Sequence, residues 1–253
     1  MRGLNLASRM LVGLALLLPA LALAAEQAGD AHHGKLVYER YCLSCHGAQG
    51  NGAGEFAEWI SPKPRDYRQG TFKWRSTPSG ALPTDADLEK TLTSGLYGTY
   101  MPTWYAIGHR ARMDVIAYIK TFSERWKTDQ VPASIQIPAE TANDAASVQR
   151  GHDAYVKFGC VQCHGDHGQG DGPSAHELKD DWGNAIVPYN LTEGHIKCGD
   201  QGTDIYRVFM TGLNGTPMPS FADALTPELA WDLVHFIQSL SKPVPAAMAV
   251  VKP

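Results

Sequence analysis

Two five-residue runs carry the most specific chemistry in this chain: Cys42-Leu43-Ser44-Cys45-His46 and Cys160-Val161-Gln162-Cys163-His164. Two thiols separated by two residues can form thioethers to the two vinyl groups of a porphyrin, and the adjacent imidazole then reaches the iron. Each run therefore predicts one covalent haem c. The same thiol spacing without the histidine serves a redox dithiol or half of a zinc site. Two complete runs, with only Cys198 left over, favour haem over either alternative.

His46 and His164 are the candidate proximal iron ligands. Met101 and Met218 are the candidate distal ligands: each lies about 55 residues after its histidine, in Gly98-Thr99-Tyr100-Met101-Pro102 and Gly215-Thr216-Pro217-Met218-Pro219. A thioether opposite imidazole stabilises ferrous iron relative to a second imidazole. A single methionine more often packs in a core, and Met113 and Met210, which fall in helical patterns, read that way. His109, His152, His167, His176, His195 and His235 are the alternative distal ligands, but none recurs at a matching position in both halves. Two six-coordinate His/Met irons would have no open position for a substrate, which points to single-electron exchange. Cys198 has no partner motif and reads as a free thiol.

The elements that must position these groups are helical. Leu36, Val37, Tyr38 and Tyr41 form one stripe over residues 34–41, leading into Cys42. After His46 comes a glycine-rich loop over 46–54, whose glycines let backbone approach a porphyrin closely. Residues 61–83, rich in Pro, Arg and Gly, read as a wrapping loop. Thr84 caps a helix through Leu88 and Leu92, with Asp85 and Asp87 near its positive end. A third helix spans 110–122.

The remaining chain repeats this plan. Gly165 to Gly172 follows the glycine spacing after His46, the stretch from Asp204 tracks that from Asp87 at an offset of 117, and Asp232, Phe236 and Ile237 echo Asp114, Tyr118 and Ile119 at 118. Thr226-Pro227 opens the last helix, with proline where its missing N–H costs nothing. The expectation is all-α: two tandem domains over 30–124 and 147–242, a linker over 125–146 carrying Pro132 and Pro138, a disordered leader over 26–33 and a flexible tail over 243–253.

Residues 1–25 have the form of a signal peptide, with Arg2 and Arg9, an apolar stretch over 10–23, and cleavage expected after Ala24 or Ala25. This predicts export to the periplasm; an uncleaved membrane anchor is the lesser alternative. No later stretch is long and apolar enough to span a bilayer. The mature chain carries 26 Asp and Glu against 20 Lys and Arg, a charge of −6. That argues against nonspecific nucleic-acid binding and suits a partner with a basic surface. Lys63, Arg65, Arg68, Lys73 and Arg75 form a basic run that is either a solvated loop or a contact for haem propionates or an acidic partner.

Taken together, the Cys42/Cys45/His46 run with Met101 and the Cys160/Cys163/His164 run with Met218 resemble the dihaem form of class I cytochrome c, over roughly 34–122 and 151–241. Pro64-Arg65-Asp66-Tyr67, Phe72-Lys73, Arg75-Ser76-Thr77-Pro78-Ser79-Gly80 and Leu82-Pro83-Thr84-Asp85 are similar to a subgroup of bacterial exported cytochromes. The resemblance implies two tandem class I cytochrome c domains, each a small helical fold around one haem c. It also implies periplasmic electron transfer between a redox protein donor and acceptor, with a membrane respiratory complex or a terminal reductase or oxidase as partner. Within each domain it implies that the first helix crosses the last, through Gly34 and Tyr38 with Tyr118, and Gly151 and Tyr155 with Phe236. The second domain shortens the stretch matching Arg75 to Pro83 and places His195 and Cys198 near the positions of Thr71 and Trp74.

The functional expectation is an electron carrier or electron-transfer subunit, not an enzyme. The competing reading is a dihaem peroxidase or related haem oxidoreductase with one labile or high-spin haem, recruiting His167, Glu193 or His195 for proton transfer. A third is a sensor in which a small ligand displaces Met101 or Met218.

Overall fold

The computed structural model describes residues 29–197 and 199–241, so the signal-peptide reading of 1–25, the reading of Cys198 and the tail over 243–253 lie outside the described residues. The first half contains α1 (Ala31–Tyr41), α2 (Leu43–His46), α3 (Asp85–Ser94) and α4 (Gly108–Lys120), followed by the single turn α5 (Arg125–Thr128). The second contains α6 (Ala145–Lys157), α7 (Val161–His164), α8 (Gly202–Thr211) and α9 (Pro227–Leu240). Among the described residues the only β pairing is one isolated bridge, Lys179 with Ala185. The fold is all-α.

Each half is built on a crossing of its first and last long helices. Gly34 of α1 lies directly against the Asp114 carbonyl of α4, and Gly151 of α6 against that of Asp232 of α9. Without side chains at the crossing the backbones approach closely, and aromatic rings close the gap alongside. Tyr38 meets Tyr118 and Phe122 at centroid distances of 5.3 Å each, and Tyr155 meets Phe236 at 5.2 Å. The buried hydroxyls of Tyr38 and Tyr155 donate to the carbonyls of Gly47 and Gly165, both at 2.7 Å. These glycines directly follow His46 and His164, so the crossing is tied to each histidine turn.

The leader expected over 26–33 is corrected in its described part: His32 and His33 belong to α1. The helix starts earlier because the Asp30 carboxylate accepts from the N–H of His32 at 2.8 Å. Asp114, 81 residues further on, holds His33 Nδ1 at 2.6 Å. Elsewhere local signals suffice. Thr84 and Asp87 form a reciprocal capping box on α3, Asp87 N–H to Thr84 Oγ1 at 3.1 Å and Thr84 N–H to Asp87 Oδ2 at 2.9 Å. Thr226 caps α9 ahead of Pro227.

Residues 125–146 are fastened to both halves. Ile135 N–H donates to the Ser76 carbonyl at 2.8 Å, while Trp231 Nε1 donates to the Pro138 carbonyl at 3.3 Å and His235 Nε2 meets Glu140 at 3.1 Å. The basic run divides: Lys63 and Arg68 are exposed, Arg65 and Lys73 half-buried. Arg75 is buried, with Nε on the Pro78 carbonyl at 3.2 Å and its guanidinium donating to the carbonyls of Thr211 and Gly212 in the second half. Lys63 caps the turn at Ala57 and Glu58, and Arg68 pairs with Asp66 at 2.7 Å.

Candidate functional site

The two histidines are set by matching backbone. His46 ends α2, and its Nδ1–H donates to the Arg65 carbonyl at 3.1 Å; His164 ends α7, and its Nδ1–H donates to the Tyr189 carbonyl at 3.3 Å. This fixes the tautomer and leaves Nε2 as the nitrogen able to take iron. The acceptors sit on equivalent loops. Tyr67 N–H donates to the Gly50 carbonyl and Leu191 N–H to the Gly168 carbonyl, each at 2.7 Å. Gly52 and Gly170, with φ of 71° and 79°, bring backbone against the carbonyls of Pro64 and Pro188, where a Cβ would stand only 2.5 and 2.6 Å away. Burial pushes His46 down to about 4, with the Arg65 carbonyl pulling it partly back, and burial lowers His164 as well. Both imidazoles are thus neutral, as a metal ligand must be.

The sequence reading missed these carbonyl acceptors. The signal that could have found them is the pairing of Pro64-Arg65 with Pro188-Tyr189 at an offset of 124. The partner of Nε2 differs between the halves. In the first, Nε2 accepts from the Tyr67 hydroxyl at 3.1 Å and the two rings stack with centroids 4.7 Å apart. In the second, apolar Leu191 occupies Tyr67's place.

Burial keeps three of the four thiols protonated, unlike those of a redox dithiol. Burial pushes Cys42 up to about 12 and Cys160 up to about 11, and it raises Cys45 also. A reactive dithiol needs a depressed value. Among the described residues no group of three or more His, Cys, Asp and Glu side chains is placed to hold a metal ion.

Met101 and Met218 end the same turn. The N–H of Leu96 donates to the Met101 carbonyl at 3.0 Å, and that of Leu213 to the Met218 carbonyl at 3.1 Å. Thr99 and Thr216 hydroxyls donate to the carbonyls of Leu96 and Leu213, both at 2.7 Å. Each threonine oxygen then accepts from the methionine N–H, at 3.1 and 3.3 Å. Gly95 and Gly212, both with φ of 66°, return the chain past Pro102 and Pro219.

The alternative histidines are occupied elsewhere or face outward. His109 contacts Glu89 at 2.5 Å, His195 contacts Asp200 at 2.8 Å, and His235 is buried beside Ser147. His152 is half-buried against Phe236, with ring centroids 5.2 Å apart, and His167 and His176 are exposed.

In the first half, Cys42, Cys45, His46 and Met101 line one cleft of about 1320 Å³, a volume that includes its open mouth. Phe72, Leu88, Leu92, Trp104, Ile116 and Ile119 contribute its apolar walls, while Lys63, Arg65 and Lys73 contribute cations. Thiol pair, imidazole, thioether, apolar wall and cations together fit an amphipathic iron macrocycle bearing carboxylates. A zinc ion or a disulfide would use none of the walls.

An all-α tandem, each half carrying a cysteine pair and a carbonyl-anchored histidine beneath a glycine-mediated helix crossing, defines a c-type haem protein. The sequence profile described as Cytochrome c matches residues 31–123 and again residues 148–241. The chain belongs to the cytochrome c family, with two cytochrome c domains and two covalently bound haem c groups. Among solved structures it is similar to a chain of the Kuenenia stuttgartiensis reducing HAO-like protein complex Kustc0457/Kustc0458, with 40% identity and a TM-score of 0.83. That similarity covers 84% of this chain and 97% of the other. No curated protein matches it. Among the described residues no helix is long and apolar enough to cross a membrane.

Proposed function

We propose that this chain is an exported dihaem electron-transfer protein, working in the periplasm as a subunit or close partner of a redox protein complex. When bound, each haem supplies one-electron exchange between ferrous and ferric iron. Cys42 and Cys45 hold the first through thioethers and His46 with Met101 ligate its iron; Cys160, Cys163, His164 and Met218 do the same for the second. The domains run over 30–124 and 147–242, with 125–146 between them and residues 1–25 removed on export.

One observation carries this reading: the Nδ1-anchored histidine and the Thr-braced methionine turn both occur twice, with matching hydrogen bonds. Anchoring the imidazole limits its movement when the iron changes charge, and the methionine turn occupies the face where a substrate would bind. In the first domain the apolar walls would keep water from the iron. The similarity to a chain of a reducing HAO-like protein complex supports redox proteins of such a complex as the partners.

The test is the visible spectrum of the purified holoprotein, oxidised and reduced, with haem quantified. Two haems per chain, both low-spin and both contributing the weak methionine-to-iron charge-transfer band near the red edge, are expected. A high-spin fraction that binds carbon monoxide when reduced would overturn the carrier reading in favour of a peroxidase or a ligand sensor.

A further inference from the structure

The cleft of the first domain is not closed by that domain alone. A segment of the second domain lies across the Met101 turn: the His195 ring sits 4.9 Å from that of Tyr97, and Lys197 runs past Gly98. Lys197 lines the same cleft as Cys42, His46 and Met101, together with Arg65 and Lys73. Lys73 and Lys197 occupy equivalent places in the two halves, at the offset of 124 that also relates Arg65 to Tyr189. The repeat has therefore turned one copy of this lysine into its own cleft and the other copy into its neighbour's.

The carboxylates that act on these three cations, Asp66 on Arg65 among them, stand outside the cleft. Arg65 is braced by Trp182 of the second domain, 4.4 Å from its guanidinium to the ring, and Trp182 in turn packs on Gly215 of the Met218 turn. Asp180 and Asp181 act on Arg65, Asp180 weakly on Lys73, and Glu193 on Lys197, but none of these carboxylates lines the cleft. Burial pushes Lys73 down to about 8, and the charges of Arg65 and Lys197 push the same way. Half-buried cations that repel one another are costly unless an anion joins them.

We propose that Arg65, Lys73 and Lys197 form a single anion site built from both domains, and that it holds the propionates of the first haem. The second domain thereby completes the first domain's cofactor site, and the domain interface becomes part of what sets the first haem's potential. A positive charge beside a haem favours its reduced state, so each cation here raises the potential of the first haem and not the second.

The experiment uses the full holoprotein, with the two haems followed separately through their NMR haem-methyl resonances during a redox titration. Lys197→Met is expected to lower the potential of the first haem and leave the second in place, and Lys197→Arg to restore it. Lys90→Met is the control, because Lys90 bridges the same interface to Asp204 at 2.5 Å without lining the cleft; it is expected to move neither potential. An unchanged first haem in Lys197→Met would overturn the proposal. So would an equal shift in Lys90→Met, which would mark loosened docking, or weaker binding of an acidic partner with no change in potential. A crystal structure of the wild-type holoprotein decides the matter if Lys197→Met fails to take up haem. A propionate oxygen hydrogen-bonded to Lys197 Nζ is expected there, and Lys197 turned to Glu193 or to solvent refutes it.

Discussion

Gly34 lies so close to Asp114 that a Cβ on the glycine would stand 1.9 Å from the aspartate's carbonyl oxygen, and Gly151 repeats the relation with Asp232 at 2.0 Å. The obstacle is backbone, which cannot rotate aside. Gly34→Ala should therefore splay α1 from α4, at a cost of about 2 kcal/mol or more by the general scale for overpacked cores. Because the Tyr38 hydroxyl fastens this crossing to Gly47, the loss should reach the turn bearing His46. Chemical denaturation should show a lowered midpoint, with haem 1 affected first; Gly151→Ala should reverse the order of the domains.

The methionine turns can be tested one at a time. Met101→His should remove about half of the red-edge charge-transfer absorbance and lower one potential, since a second imidazole favours ferric iron. Met101→Ala should let carbon monoxide bind to one of the two reduced haems. Met218→His and Met218→Ala should act on the other haem in the same way. Spectra that do not change in either pair would remove the methionines as ligands.

Arg75 joins five backbone carbonyls, those of Phe72, Lys73, Pro78, Thr211 and Gly212, from a buried position. Arg75→Met should leave several of them without a donor, each costing about 1–3 kcal/mol where water cannot reach. Lysine should rescue little, because one ammonium cannot span a fork of acceptors. Limited proteolysis should cut within 125–146 faster in both variants, as the domains come apart.

Acid should weaken both helix crossings through their aspartates. Burial alone would raise Asp232, but hydrogen bonds from Arg150 and Ser147 outweigh it and hold the carboxyl below the usual range; Asp114 is likewise lowered, by the Asp30 N–H, His33 and Arg110 against its burial. A depressed folded-state value means the stabilisation is complete above the unfolded value of about 3.9 and disappears as pH falls through the folded one. Stability measured from pH 7 down to pH 2 should thus drop below about pH 4. Asp232→Asn should be less stable than wild type at pH 7, and the gap should narrow in acid.

What the sequence alone determined is local. The Cys-x-x-Cys-His runs, the caps at Thr84 and Thr226 and the Gly-Thr-x-Met-Pro turns each act within about a dozen residues, and the internal repeat supplied a second copy against which to check each one. The duplication also made the helix crossings legible, through Gly34 with Tyr118 and Gly151 with Phe236.

Only the tertiary structure decided what depends on distant parts of the chain. Asp114 holds His33 across 81 residues, Arg75 donates to carbonyls more than a hundred residues away as well as to near ones, and Lys197 lines a cleft whose cysteines are in the other domain. A lysine in a polar loop has the same local signature whether it faces water or a neighbour's cleft. Which one it meets follows from how the two repeats dock, and docking is set by surfaces that no local pattern records.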